Sequence, residues 1–418
     1  MGARVELFSN SSSMNPLVLA RLGDDPRKET LCIYGHYDVV MANEAEWNTP
    51  PWSTVCIDGY VYGRGVTDHK GPIAAVIVAI DRANKAGRLP VNVLFCLEGE
   101  EENGSEGFEA AVRDHLDWFS GVTSILCTNS YWADDDTPCV TWGMRGKIDA
   151  EIVVQGAREN LHSGMDGGVG VQPLQDLVAI ASSLTSIDGR PAVPGFLDEI
   201  VPVSAETLER YRQVEFDAAA YRDKIGLTSP HICHDREDIL LRRWHYPAIS
   251  IAEITSSNMQ HAFSVIPRSA TVRLSIRFVP NQDADTLILS LKRYIDHIMQ
   301  MRNSSNVASL NVTSVGPWWL GSPDAPVFQA AAKAVEMTWE TKVNWVREGG
   351  TMPTTSFLER ILEADAVLLP LGQASDNSHL PNERIRVANL VKGCDIITHF
   401  IHLIASKTPS ADSAQAQW

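Results

Sequence analysis

Apolar positions in the first third of the chain fall in short unbroken runs. Residues 31–34, 91–97 and 124–128 are such runs, the second opened by Pro90. Each is too short for a typical helix, and the second is rich in β-forming residues. A strand needs to be apolar on both faces when helices cover both sides of its sheet. Between the runs, 71–86 and 104–115 read as helices built on small and apolar residues. Strand, helix and strand in this order predict an α/β unit with a helix-covered, mostly parallel sheet.

The pattern changes near Met144. Residues 148–154 alternate as a strand with one exposed face does, and 248–254 and 270–278 also read as strands. Helices are predicted over 173–186 and 284–301, with a charged helix-prone stretch over 204–224. After 311–315 the earlier pattern returns, with a helix over 325–338, a strand over 366–370 and a last helix over 386–406. The second, α+β unit is therefore expected to be inserted in the first. The expected domains are 1–141 joined with 316–406, and 142–315. Residues 407–418 are small and polar and are expected to form a disordered tail.

A length of 418 residues exceeds what one hydrophobic core usually organises, in keeping with two domains. The net charge of −17 argues against nucleic acid, whose phosphates need a basic surface, and suits a chain that gathers carboxylates around cations. No uninterrupted apolar run approaches the ~20 residues of a membrane helix. The seven cysteines are odd in number and none has Cys-x-x-Cys spacing, so they read as free thiols of a reducing compartment. The first 14 residues lack a signal-peptide pattern. These features place the expected protein in the cytoplasm, away from membranes.

Chemistry-bearing residues recur just after the apolar runs. Gly35-His36-Tyr37-Asp38 follows the first, Glu98-Gly99-Glu100-Glu101-Glu102-Asn103-Gly104-Ser105 the second, and Ser375-Asp376-Asn377-Ser378-His379 the late one. Gly63-Arg64-Gly65-Val66-Thr67-Asp68 precedes the first long helix. The C-terminal ends of parallel strands open onto one crevice, so these residues can converge there.

In combination with Leu161-His162-Ser163-Gly164 and Arg347-Glu348-Gly349-Gly350, these motifs resemble the zinc peptidase family of carnosinases, cytosolic nonspecific dipeptidase, carboxypeptidase G and acetylornithine deacetylase. The resemblance covers nearly the whole chain. It implies a phosphorylase/aminopeptidase-like catalytic domain holding two Zn2+ ions, and an inserted lid that forms a homodimer. His36 then matches a terminal ligand of one zinc and Asp38 the carboxylate that orients it. Asp68 matches the bridging ligand, with the following peptide bond a candidate for the cis form. Glu102 and His379 match the ligands of the other zinc, and Glu101 the general base. His162 matches a histidine that reaches across the dimer to the oxyanion. Arg277 matches an arginine that grips a substrate carboxylate. Gly349, Gly350 and Thr351 match a turn lining the substrate pocket.

One position departs from this pattern. Where the family has Asp or Glu as the remaining ligand beside the His36 counterpart, this chain has Asn129. An amide carries no charge, so this metal position is expected to bind zinc more weakly, to hold another divalent ion, or to be absent. Asn129-Ser130-Tyr131-Trp132, Gly372-Gln373-Ala374-Ser375-Asp376-Asn377 and Asn382-Glu383 look most like the metallopeptidase-like subunit of a fungal glutathione-degrading amidotransferase complex. That resemblance implies an amidotransferase-like partner and raises the expectation of a truncated or standalone relative.

The reaction implied is metal-dependent hydrolysis of an amide bond in a dipeptide or N-acyl amino acid. Two alternatives stand beside it: a catalytically impaired subunit of the amidotransferase complex, and an amide-forming or amide-trimming enzyme of specialised metabolism.

Overall fold

The computed structural model describes residues 1–9, 15–226, 235–258 and 263–406. The three apolar runs form the middle of a nine-stranded sheet. Strands Asn92–Glu98, Thr30–His36, Val122–Cys127 and Asp365–Leu368 lie side by side and parallel. Strand Thr30–His36 is buried at every position, because it sits mid-sheet under helices. Helices Lys70–Lys85, Val387–Ala405 and Pro326–Trp339 pack against one another in sequence and share its core with Phe108–Asp114 and Pro353–Leu362.

Flanking strands turn the parallel centre into a mixed sheet. Arg4–Phe8 and Leu17–Leu22 add antiparallel beside Asn92–Glu98. On the other side, Cys139–Met144 runs antiparallel to Asp365–Leu368 and Trp319–Leu320 but parallel to Asn344–Glu348. Among the described helices, Val387–Ala405 alone is long and apolar enough to cross a membrane. Its Ile396, Ile397, Phe400 and Ile401 are instead buried in the core of the large sheet.

A second, four-stranded antiparallel sheet has the order Ala248–Ser256, Ser269–Phe278, Gly146–Gln155, Val307–Gly316. The alternation read from the sequence appears directly: Ile148, Ala150, Ile152 and Val154 point into a separate core with helices Pro173–Ser183 and Ala284–Met301.

Several details differ from the sequence reading. The boundary expected between residues 141 and 142 falls inside Cys139–Met144, a strand buried throughout in the large sheet. The stretch 204–224 is two helices, Ala205–Gln213 and Ala218–Ile225, because Asp217 caps the second through the N–H groups of Ala219 and Ala220. Tyr211, Val214, Leu240 and Trp244 join the core of the large sheet, not that of the small one. The six described cysteines are free, with Cys56 exposed and the other five buried. The expected tail, 407–418, lies outside the described residues.

Candidate active site and metal centre

Each parallel strand delivers its polar residue at or just past its C-terminal end. His36 is the last residue of its strand, Glu101 and Glu102 lie in a 3-10 turn after Asn92–Glu98, and Asn129 follows Val122–Cys127. Asp68 is the last residue but one before helix Lys70–Lys85, and the Asp68-His69 peptide bond is cis, as the family resemblance implied. The turn needs Gly71, where a Cβ would lie 2.1 Å from the Val66 carbonyl oxygen.

These residues converge. The two Asp68 carboxylate oxygens face different imidazoles: Oδ1 is 3.1 Å from His36 Nε2, and Oδ2 is 3.0 Å from His379 Nε2. His379 Nε2 is also 3.1 Å from Glu102 Oε2. Asp38 Oδ1 stands 3.3 Å from His36 Nδ1, on the far side of the ring, and its Oδ2 accepts from the Glu102 backbone N–H at 2.9 Å. One ligand atom from each of His36, Asp68 and Glu102 can be chosen so that all lie within 4.8 Å of one another.

The electrostatics of the cluster call for positive charge. Burial opposes a charge on His36, but hydrogen bonds to Asp38 and Asp68 outweigh it and raise its pKa to about 11. Hydrogen bonds to Asp68 and Glu102 raise His379 to about 10. Burial works against ionised Asp68, yet its bonds to the two histidines hold it well below the usual carboxylate range. Glu102 Oε1 is buried without a hydrogen-bond partner among the described residues. Nitrogen and carboxylate donors with an unsatisfied buried oxygen fit a divalent cation.

Glu101 stands apart from these contacts. Burial first, then the nearby carboxylates of Glu102, Asp68 and Asp38, push its pKa up to about 7 against the attraction of His36. Glu100 is committed elsewhere: its Oε1 accepts from the N–H and the side-chain amide of Asn15, and its Oε2 from Asn103. Asn129 is buried, with Nδ2 3.2 Å from His36 Nε2 and 3.3 Å from Asp68 Oδ1. Its Oδ1 accepts from the Ser130 N–H at 2.6 Å, so the amide turns its NH2 toward the cluster.

The expected substrate residues group together beside this centre. Arg277 donates to the Thr351 hydroxyl at 2.7 Å, which donates to the Arg145 carbonyl at 2.6 Å. The Gly349 carbonyl accepts from Arg145, and a Cβ on Gly349 would come within 2.7 Å of that guanidinium. Gly350 lies beside the Glu348 carboxylate. His162 is not part of this group. It is exposed, on a two-residue ribbon paired with Val265–Ile266, and its Nδ1 accepts from the Gly164 N–H.

Sequence reasoning assigned no role to three residues that support the site. Glu383 accepts from Arg64 and Gly65 through Oε2 and from the Thr67 and Asp68 N–H groups through Oε1, tying the Asp68 turn to the His379 loop. Ser378 donates to Asp68 Oδ2 at 2.6 Å. Glu348 bonds the Ser130 hydroxyl. The only signal in the sequence was their place inside motifs already noted.

A cluster of carboxylates and imidazoles at the open end of a parallel sheet, running from buried His36 and Asp68 to exposed His379, marks a metal-dependent hydrolase. The chain belongs to peptidase family M20/M25/M40, whose family model matches residues 32–403. It is 34% identical over 399 residues to the Cys-Gly metallodipeptidase dug1 of Schizosaccharomyces pombe, covering 94% of this chain and 84% of that protein. It is also 34% identical over 404 residues to the human Beta-Ala-His dipeptidase, covering 96% and 80%. The crystal structure of human carnosine dipeptidase 1 superposes with a TM-score of 0.85 at 33% identity, covering 97% of this chain and 87% of that one.

Proposed function

We propose that the chain is a dipeptidase that hydrolyses the amide bond of a dipeptide or N-acyl amino acid with a free C-terminal carboxylate. The observation that carries this reading is the placement of a raised, uncommitted Glu101 beside the His36, Asp68, Glu102 and His379 cluster. The names of the two similar dipeptidases support the substrate class.

Divalent cations, zinc on this reading, would polarise the scissile carbonyl and acidify the attacking water. His36 and Asp68 would hold one ion, next to Asn129, whose NH2 faces them and whose amide must turn its oxygen inward to serve as a ligand, and Glu102, Asp68 and His379 would hold the other. Glu101 takes the proton from water and passes it to the leaving amine, a task suited to a carboxyl poised near 7. Asp38 orients the His36 ring. Arg277 grips the substrate carboxylate; among the described residues its side chain donates one hydrogen bond, to Thr351, which leaves donors for a ligand. His162 donates to the oxyanion from the partner subunit of a homodimer, a role its exposed position suits.

On the same reading the chain forms two domains, joined at Arg145 and Gly316, and the inserted one is the lid and dimerisation unit. Its separate core supports this division. The working compartment is the cytoplasm. The test is release of free amino acids from a panel of dipeptides and acyl-amino acids by the purified chain, with and without a chelator and zinc. Turnover that is absent with zinc, or indifferent to a chelator, refutes the reading.

Asn129 favours a second reading, a catalytically impaired subunit working with an amidotransferase-like partner in glutathione breakdown. It requires weak metal retention and negligible hydrolysis by the chain alone, with activity appearing only when such a partner is added.

A further inference from the structure

The cleft beside the metal centre carries cations in an otherwise acidic protein. It has a volume of about 320 Å³, and its lining includes Lys224, Arg243, Arg347, Glu348 and Ser378. Ser378 connects it to the metal centre through its bond to Asp68.

Arg243 is half-buried, and its guanidinium carbon lies 5.0 Å from the ring centre of Tyr221, 5.6 Å from that of Phe216 and 6.0 Å from that of Trp244. Among the described residues its side chain donates no hydrogen bond and forms no ion pair. Stacking holds such a planar cation in place while leaving the N–H groups on its edge available. Arg347 is buried over Trp142, at 4.0 Å from the ring centre; its Nη1 lies 3.2 Å from His245 Nδ1, and its Nε has no hydrogen-bond partner among the described residues. Lys224 is exposed and reaches the Ala374 carbonyl at 3.4 Å. Against these three cations the described residues of the cleft lining hold one carboxylate, Glu348, already bonded to Ser130. Three cations against one carboxylate in a chain of net charge −17 mark a place for an anion. A guanidinium with a free edge matches the two oxygens of a carboxylate.

We propose that this cleft is a carboxylate subsite, so that the enzyme selects peptides bearing a second carboxylate beyond the one assigned to Arg277. Arg277 is outside the cleft lining, so the two carboxylates would be held separately. The second comes from an acidic side chain, because a peptide's single C-terminal carboxylate is the one assigned to Arg277. The proposal rests on the peptide-hydrolysing reading above.

The test pairs binding with turnover. Calorimetry on the zinc-loaded Glu101→Gln protein measures affinity for Ala-Glu, Ala-Gln, Glu-Ala and Gln-Ala, and kcat/KM is measured for the same peptides with the unmodified protein. The expected result is a preference of about tenfold or more for at least one acidic dipeptide over its amide counterpart. A preference for Glu-Ala places the acidic residue before the scissile bond, and one for Ala-Glu places it after. Arg243→Gln should bring the preference near one, and Arg243→Glu should shift it toward lysine-containing dipeptides. Lys224→Gln changes only an exposed side chain and should lower the preference partway, which guards against a folding defect at Arg243. Equal affinity for every peptide, or a preference that survives Arg243→Gln, overturns the proposal. Selective binding without turnover would uphold the subsite while refuting the hydrolytic reading.

Discussion

Replacing Asn129 by aspartate tests whether the two metal positions are unequal. The amide nitrogen lies 3.2 Å from His36 Nε2 and 3.3 Å from Asp68 Oδ1. In the metal-free protein a new carboxylate there would meet Asp68 with a repulsion of about 5 kcal/mol at an effective dielectric of ~20. The protonated His36 ring, at nearly the same distance, offsets it with an attraction of about the same size. The variant should therefore fold. With a dication in place, the new ligand adds an anionic contact where a neutral amide stood. Allowing for desolvation, a gain of about 3 kcal/mol is reasonable, which is ~100-fold in dissociation constant. Zinc titration by calorimetry, with metal content measured after gel filtration against a chelator, reads this directly. The unmodified chain should retain one zinc firmly and the second weakly, and Asn129→Asp should retain two. Two firmly held zinc ions in the unmodified chain, unchanged by Asn129→Asp, would refute the reasoning.

Glu101→Gln should lower hydrolysis by about 10²-fold or more while zinc content stays near that of the unmodified chain, whereas Glu102→Gln should lose zinc. The reverse pattern would assign the base to Glu102. Glu383→Ala leaves buried Arg64 and three backbone N–H groups without their acceptor, so it should cost about 3–5 kcal/mol in urea unfolding and weaken zinc binding; stability and affinity both unchanged would remove its positioning role. Both ligand imidazoles must be neutral to bind metal, yet in the metal-free protein they hold protons up to about 11 for His36 and about 10 for His379. Zinc affinity should accordingly rise with pH through the neutral range, by about tenfold per unit for each proton displaced, and level off above those values. An affinity flat between neutral and mildly alkaline pH contradicts this. Mixed dimers of His162→Ala and Glu101→Gln subunits should recover part of the activity if sites are shared; no recovery in verified mixed dimers places each site within one subunit.

The residues of the metal cluster were legible in the sequence because they are tied to local elements. His36, Glu101, Glu102 and Asn129 each follow an apolar run, and a parallel sheet brings such strand ends together whatever the loops do. The alternation of Gly146–Gln155 likewise announced a strand with one buried face. Other features depend on packing between distant segments, which periodicity does not encode. The Glu383 carboxylate reads as an ordinary acid until the fold sets it against the Asp68 turn more than 300 residues away. Arg243 lies in the stretch expected to belong wholly to the lid, yet its neighbours Leu240 and Trp244 pack into the core of the large sheet, and the guanidinium comes to line the cleft beside the metal centre. The sequence identified Asn129 as a neutral residue in a ligand position. Only the tertiary structure decided which way its amide turns, because the Ser130 N–H claims the oxygen and leaves the NH2 facing His36 and Asp68.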